Sequence, residues 1–449
     1  MFVYKQLLTH SKTSMKRLLK KVMALCLAAC AITPLSAKSH TETQLDSLIA
    51  NHKLIFFGDG ENPHADSVRS LITNFYYDQF RHFQDPAAPY FLFMSKNSDL
   101  AMGIGGVVRM RGWCDWGGSV NSSAFAPYLI PIPSDPTHDK DLGTTPAGTS
   151  LFFRVLGRNK TLGNYQLFIQ AQFSGYDNRD FKLKKAYAII NDWTIGYATS
   201  TFSDPGAEPP TVDANGSNVS MDQTAVLVRW MRDFKSHWRV AASVETPAMS
   251  LDTDGTSTAA RSQYLPNIAA LIQYKWGFQQ HVQLAGIMRS LPYRDLINQK
   301  NHNTIGWGLQ LSTVLHPLPQ LTFYGISCYG KGFASYSGDM LMGKYDMVGD
   351  PERPGRLYAP AAFSLMAGLQ YNFSPTVFAS ATFGHSRYLP SKAVSPDDYK
   401  YGQFMCANLF WNLTPRIQIG GEFDLGRRQN FNHEHRWARR LNAMVQFSF

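Results

Sequence analysis

His433-Glu434-His435-Arg436-Trp437-Ala438-Arg439-Arg440-Leu441-Asn442-Ala443-Met444-Val445-Gln446-Phe447-Ser448-Phe449 ends the chain on a strict alternation. Trp437, Arg439, Leu441, Ala443, Val445, Phe447 and Phe449 share one parity, and Arg436, Ala438, Arg440, Asn442, Met444, Gln446 and Ser448 the other. Successive side chains of a strand point to opposite faces, so the first set makes a mainly apolar face and the second a mainly polar one. A terminal strand of this kind, ending on Phe, is what an outer-membrane β-barrel needs to close against its first strand and leave no edge open in lipid.

Working back from that strand, the chain shows about sixteen alternating segments of roughly ten residues, the length that crosses a bilayer when tilted. The expected spans are 99–112, 149–158, 162–174, 180–190, 193–203, 222–234, 237–246, 263–276, 280–291, 303–315, 319–331, 358–373, 376–386, 401–413, 415–427 and 434–449. Tight turns follow every second segment, at Asn159-Lys160, Asn191-Asp192, Lys235-Ser236, Gly277-Phe278, Pro317-Leu318, Ser374-Pro375 and Thr414. Most connections between them are long and polar, such as Gly117 to Gly148, Asp204 to Ser220, Lys331 to Arg356 and Arg387 to Tyr399. Short turns on one rim and long loops on the other are the asymmetry of an outer-membrane barrel. Trp193, Trp230, Trp238, Trp276, Tyr371, Phe373, Trp411 and Phe449 all flank the short-turn side, where an interfacial girdle sits. The fold class expected is therefore all-β: a transmembrane antiparallel barrel of about 16 strands over residues 98–449, in the outer membrane of a Gram-negative bacterium.

Composition agrees. At 449 residues with 17% charged and 13% aromatic residues, and a mean hydropathy of −0.23, the chain has a membrane signal spread over strands. The formal charge of +10 suggests nucleic acid, but Lys5, Lys12, Lys16, Arg17, Lys20 and Lys21 precede residue 38, where no acid occurs. What is left, 37 basic against 33 acidic residues, is too even to argue for nucleic acid. Residues 1–37 read as a signal peptide, with a possible upstream extension 1–14: a basic start at Met15-Lys16-Arg17, an apolar run from Val22 to Ile32, and a small-residue cleavage site at Leu35-Ser36-Ala37. Leu27-Ala28-Ala29-Cys30 offers a competing lipobox reading. Cys114, Cys328 and Cys406 have no metal or redox spacing and read as small apolar strand residues. Residues 38–97 form a periplasmic or plug-like segment with one helix, capped at Asn62-Pro63 and carrying Val68, Leu71, Ile72, Phe75, Gln79, Phe80 and Phe83 at helical spacing.

Sorting by parity assigns the wall an apolar outer and a polar inner face. Arg109, Arg111, Arg154, Lys182, Lys184, Arg229, Arg239, Lys275, Arg289, Arg416, Arg428, Arg436 and Arg440 take the inward parity, against Glu245, Glu422 and Asp424. Rings of Arg or Lys in a confined channel concentrate anions, so a hydrated, anion-preferring lumen is expected. Asp204 to Ser220 and Gly117 to Gly148 are equal candidates for the loop that narrows it. Other motifs fall away. Gly103-Ile104-Gly105-Gly106 lies in a strand with no helix behind it, and Asp252-Thr253-Asp254-Gly255 lacks the distal glutamate of a calcium loop. His433-Glu434-His435 has no third ligand, and no Gly-x-Ser-x-Gly occurs. No enzyme, cofactor or metal is expected.

From about Leu100 to Phe449 the chain resembles the DcaP-like trimeric porins of Gram-negative outer membranes. The resemblance rests on Met102-Gly103-Ile104-Gly105-Gly106-Val107-Val108, on Phe181-Lys182-Leu183-Lys184-Lys185-Ala186-Tyr187-Ala188, and on the strand from Gly196 through Thr201-Phe202-Ser203-Asp204. Ser243-Val244-Glu245-Thr246-Pro247 and Gln283-Leu284-Ala285-Gly286-Ile287-Met288-Arg289 add to it. It implies a sixteen-stranded homotrimer passing small anionic solutes such as dicarboxylates. The amino-terminal region lacks the family's long heptad-like segment. The partners expected are outer-membrane lipid, small anionic solutes, and the barrel-assembly machinery through Phe449. A plugged hydrophobic-compound channel and a structural or adhesive barrel are the alternative functions.

Overall fold

A computed structural model describes residues 52–449 apart from 60, 62–64, 77, 87–88, 98, 119, 121, 175–179, 220–222, 247–248 and 278. The signal segment, Cys30 and the Asn62-Pro63 cap lie outside the described residues.

Two short strands and a helix come first: β1 (Lys53–Phe57), α1 (Ala65–Tyr76) and β2 (Phe91–Ser95). The wall starts at β3 (Leu100–Trp116), to which β4 (Lys140–Thr145) adds a short flap, and continues through β5 (Ser150–Asn159), β6 (Gly163–Ser174), β7 (Asp180–Ile190), β8 (Trp193–Thr199), β9 (Thr224–Phe234) and β10 (Trp238–Thr246). After the minor β11 (Thr258–Ala260) come β12 (Asn267–Trp276), β13 (Gln280–Asp295), β14 (Lys300–Leu318) and β15 (Leu321–Lys331). The short helix α2 (Gly338–Met342) and the β16–β17 pair (Val348–Gly349, Leu357–Tyr358) precede β18 (Ala361–Asn372), β19 (Val377–Leu389), β20 (Tyr399–Asn412), β21 (Ile417–Asn430) and β22 (His435–Ser448).

Antiparallel neighbours run in chain order from β3 to β22, and β22 pairs back onto β3, from Ser448 opposite Val107 to Arg439 opposite Trp116. The result is a closed, sixteen-stranded antiparallel barrel, and each expected span contains one wall strand. Among the described residues no helix is long and apolar enough to cross a membrane. The outer faces of the strands carry exposed aliphatic residues, including Val108, Ile169, Ile195, Val228, Ile268, Leu284, Leu309 and Val445. An outer face left this apolar has lipid as its solvent. Seven turns of two to four residues close one rim, and the exposed rings of Trp193, Trp238, Tyr371, Phe373 and Trp411 surround it. In the two-residue turn between β7 and β8 Asn191 sits at φ 52°, a conformation Asn tolerates better than most residues.

The seam closes on glycine. Gly106 N–H donates to the Phe449 carbonyl at 2.8 Å and the Phe449 N–H returns a bond to Gly106 at 3.0 Å. A Cβ on Gly106 would stand 2.5 Å from the Ser150 carbonyl and 2.9 Å from the Phe449 ring, so the glycine run in β3 serves close approach in the wall.

Below Phe449 the line of β22 is continued by another strand. β5 takes one side of β3 at Ala101–Ile104, and β2 pairs antiparallel on the other, with β1 parallel beyond it. Helix α1 covers this patch with Val68, Ile72 and Phe75, packed against Leu92, Met94 and Ala101. The helix ends at Tyr76, short of the expected stripe. Phe80 and Phe83 are apolar for a different reason: they enter the barrel, where Phe83 packs on Phe378 and Phe410.

Candidate functional site

The lumen is the site, and inward loops and the N-terminal segment fill it. Strand β8 stops at Thr199, before the expected 203, because Glu245 of β10 captures the departing chain: its carboxylate accepts the Ser200 hydroxyl at 2.6 Å and the Thr201 N–H at 2.8 Å. The chain then runs inward, and Asp204 to Val219 is buried almost throughout. Glu422 of β21 receives it on the far side, accepting the N–H groups of Val212 and Asp213 at 2.8 and 2.7 Å. Inward glycines make room. A Cβ on Gly368 would meet Pro209 at 2.7 Å, and one on Gly384 would meet Asn218 at 2.5 Å. Of the two candidate constriction loops this one penetrates more completely; the 117–148 connection contributes the buried Phe125, Ala126 and Ile130.

A third inward loop, 332–360, read from sequence as an ordinary external connection, packs Phe333, Tyr336 and Met340 into the same cluster as Phe202 and Val219. Its α2 residue Asp339 ties the loops together, accepting bonds from Asn218 Nδ2 (2.7 Å), the Tyr399 hydroxyl (2.8 Å) and the Tyr128 N–H (3.2 Å). Burial pushes its carboxyl up to about 6, against the lowering pull of those donors. A carboxyl raised in the fold favours the folded loops most where it is protonated, below the ordinary carboxylate range, and that preference is lost as pH climbs through about 6. Hydrogen exchange at Ala334 to Met347 should therefore be slower at pH 5 than at pH 7.5 after correction for intrinsic rate, and Asp339→Asn should remove the difference.

The remaining occupant is the N-terminal segment, residues 78–86, and the basic wall holds it. Arg154 donates to the Phe75 carbonyl at 2.6 Å and pairs with Asp78 at 3.3 Å. Arg229 lies 4.0 Å over the Phe80 ring and donates to the Thr199 carbonyl, while Arg239 bonds Gln79 and both oxygens of Asp233. Arg109 donates to the Gln84 carbonyl at 2.7 Å and to Gln446, and Arg111 to the Gln84 side chain and the Ala147 carbonyl. Lys184 and Lys185 meet on Asp85 at 2.5 and 3.3 Å. Burial raises the Asp85 carboxyl, but the two ammonium groups override this and hold it well below the usual carboxylate range.

The remaining expected site residues lie apart from this belt. Arg289 pairs with Asp346 of the third loop at 2.5 Å, both side chains fully buried. Arg440 forms a two-point pair with Asp115 across the seam at 2.6 and 2.8 Å, and Asp424, opposite it in register, accepts from Asn442. Arg428 donates to the Tyr128 carbonyl, and Arg436 pairs with Asp139 at 3.5 Å. Lys275 pairs with Asp233 near the short-turn rim, Arg416 lies 3.5 Å over the Tyr90 ring, and the exposed Lys182 pairs with Asp180. Lys185 escaped parity sorting because β7 bulges: Gln170 faces Lys185 and Ala171 faces Leu183, leaving Lys184 as the extra residue. A bulge slips the two-residue period, so adjacent lysines both reach the lumen.

Charge thus sorts by task. Wall acids Glu245 and Glu422 hold backbone N–H groups of the 200–219 loop, and the wall cations Arg154, Arg109, Lys184 and Lys185 hold carbonyls and carboxylates of the N-terminal segment. An open tube expected from parity alone is replaced, along β18–β22, by inward positions buried under folded chain. A cavity of about 70 Å³ is left beside β6–β9, lined by Asp78 and Phe80 of the N-terminal segment and by Gln166, Lys185, Tyr187 and Arg229 of the wall. Cys406, Glu422 and Asp424 bring possible ligand atoms within 4.8 Å of one another, but both Glu422 oxygens are already engaged by the loop. Asp254 spends its carboxylate on the N–H groups of its own turn, at Thr256, Ser257 and Thr258.

No family model matches the sequence, and no curated protein sequence matches it. Solved structures do match. The fold is similar to that of the outer membrane channel DcaP of Acinetobacter baumannii, with a TM-score of 0.66 at 18% identity over 80% of this chain and 99% of that one. An anion-selective porin from Comamonas acidovorans follows at a TM-score of 0.52 and 10% identity, over 78% of this chain and 100% of that one. OmpT of Vibrio cholerae, an outer membrane protein, in a form lacking loop L8, gives 0.50 at 8% identity over the same shares. The architecture is that of an outer-membrane porin barrel.

Proposed function

We propose that this porin-type barrel is a diffusion channel for small hydrophilic solutes, with a preference for anions such as dicarboxylates. One observation carries the preference. The charged groups that the barrel wall contributes to the lumenal cavity are Lys185 and Arg229, while the one acid that lines it, Asp78, belongs to the N-terminal segment. Cations fixed in a confined, low-dielectric space raise the local concentration of anions, and an ammonium beside a guanidinium suits a carboxylate. Transport is the role assigned, with no catalytic step. Homotrimer assembly and recognition of Phe449 by the barrel-assembly machinery belong to the same proposal.

The test is conductance in planar bilayers under a salt gradient. The expected reversal potential has the sign of anion preference, and Arg154, Lys184 and Arg229 each changed to Gln should move it toward zero while the folded barrel persists on unheated gels. A cation-selective reversal potential would end the anion reading. One feature favours a second reading, a plugged channel for apolar compounds: chain from the N-terminal segment occupies the lumen. That reading expects no ion conductance and saturable uptake of an apolar probe into the barrel.

A further inference from the structure

Adjacent lysines on one strand ordinarily point to opposite faces. In β7 the bulge turns Lys184 and Lys185 to the same side, and in a buried lumen two neighbouring ammonium groups repel unless an anion lies between them. The anion here is Asp85. Its Oδ1 takes Lys184 at 2.5 Å, and its Oδ2 takes Lys185 at 3.3 Å and the His82 N–H at 3.3 Å. Lys185 also donates to the Phe80 carbonyl at 3.0 Å. The carboxyl is kept ionised, well below its ordinary range, by the same two lysines. Lys185 at the same time lines the lumenal cavity beside β6–β9, so one edge of this two-lysine site faces open space in the lumen.

We propose that Lys184 and Lys185 form a carboxylate-binding site of the lumen, and that Asp85 is its tethered occupant, displaced by a permeating carboxylate. The inference rests on the anion-channel reading above and adds to it the place where the solute binds and what it must compete with. A built-in carboxylate lowers the apparent affinity for a free one by the fraction of time it holds the site. It has a second effect. Because Asp85 lies one residue from Gln84, which Arg109 and Arg111 also hold, exchange at the lysines loosens one of the basic clamps on the lumenal segment.

The experiment uses the full chain in planar bilayers, with succinate added on one side and the half-blocking concentration read from the chloride current. Asp85→Asn empties the site of its own carboxylate, and the half-blocking succinate concentration should fall by roughly tenfold or more. Asp85→Glu, which keeps a carboxylate on the segment, should stay near the unaltered chain. Lys184→Gln with Lys185→Gln should abolish succinate block in either background. An unchanged half-block in Asp85→Asn, in a protein that still runs as a folded barrel, would overturn the proposal, and equal block by sulfate would overturn its assignment to carboxylates. Failure of the parent reading looks different: chloride reversal potentials of the unaltered chain would then favour cations, whatever succinate does.

Discussion

Arg440→Ala is expected to cost about 3–5 kcal/mol of barrel stability, the range for stripping one partner from a buried ion pair. Arg440 and Asp115 are both fully buried, they stand opposite each other in register on β22 and β3, and their two-point pair spans the seam. The guanidinium also donates to the Ser122 carbonyl at 2.7 Å and lies 3.6 Å from Asp213. Removing it leaves Asp115 and Asp213 as buried carboxylates that have lost a shared cation. Urea unfolding in detergent, followed by tryptophan emission, would measure the loss. Arg440→Met combined with Asp115→Leu should recover much of it, since a buried pair replaced as a unit by apolar groups is often neutral. A loss under about 1 kcal/mol for the single change would mean that the seam does not depend on this pair.

The second large effect is expected at Gly106→Val. Overpacking by added methyl groups ordinarily costs about 1–3 kcal/mol, and here the obstacles are the Ser150 backbone carbonyl and the Phe449 ring on opposite sides of the seam. Neither is the free end of a flexible side chain. To admit the new group β3 must move away from β5 or from the chain end, sacrificing the Gly106–Phe449 bonds. Folded-barrel yield, read as the fraction resistant to SDS without heating, should drop sharply. Gly421→Val is the control: nothing lies within 4 Å of a Cβ there, so its yield should match the unaltered chain.

The wall was legible because one simple variable, the two-residue period, decides which side of each strand meets lipid. Every expected span holds a strand, and Trp193, Trp238 and Trp411 gather on the short-turn rim as their spacing suggested. The period fails at single residues. The bulge in β7 put Lys185 beside Lys184, and no local composition marks such a slip. It fails more deeply for the interior. Alternation states that Arg154 and Arg229 face inward but is silent on what they meet there, and a cation lining water has the same parity as one bonded to the Phe75 carbonyl. Phe80 and Phe83 show the same ambiguity from the other side. Their spacing continues the stripe of α1, yet they belong to a segment whose apolar groups pack inside the barrel. The long connections carried no sign of direction, although the glycines at 368 and 384, facing Pro209 and Asn218, were a trace of it.

Strand β3 is where the beginning and the end of the chain meet. Its upper half takes β22 and its lower half takes β2 on the same flank, so neither terminus alone can finish it. A barrel in which β22 had docked and β2 had not would present Ala101 to Ile104 as a bare backbone edge, able to recruit a foreign strand. Residues 91–95 thus cover an edge that closure by β22 leaves open, and a protease that clipped the chain before they docked would leave a pore both unstoppered and adhesive.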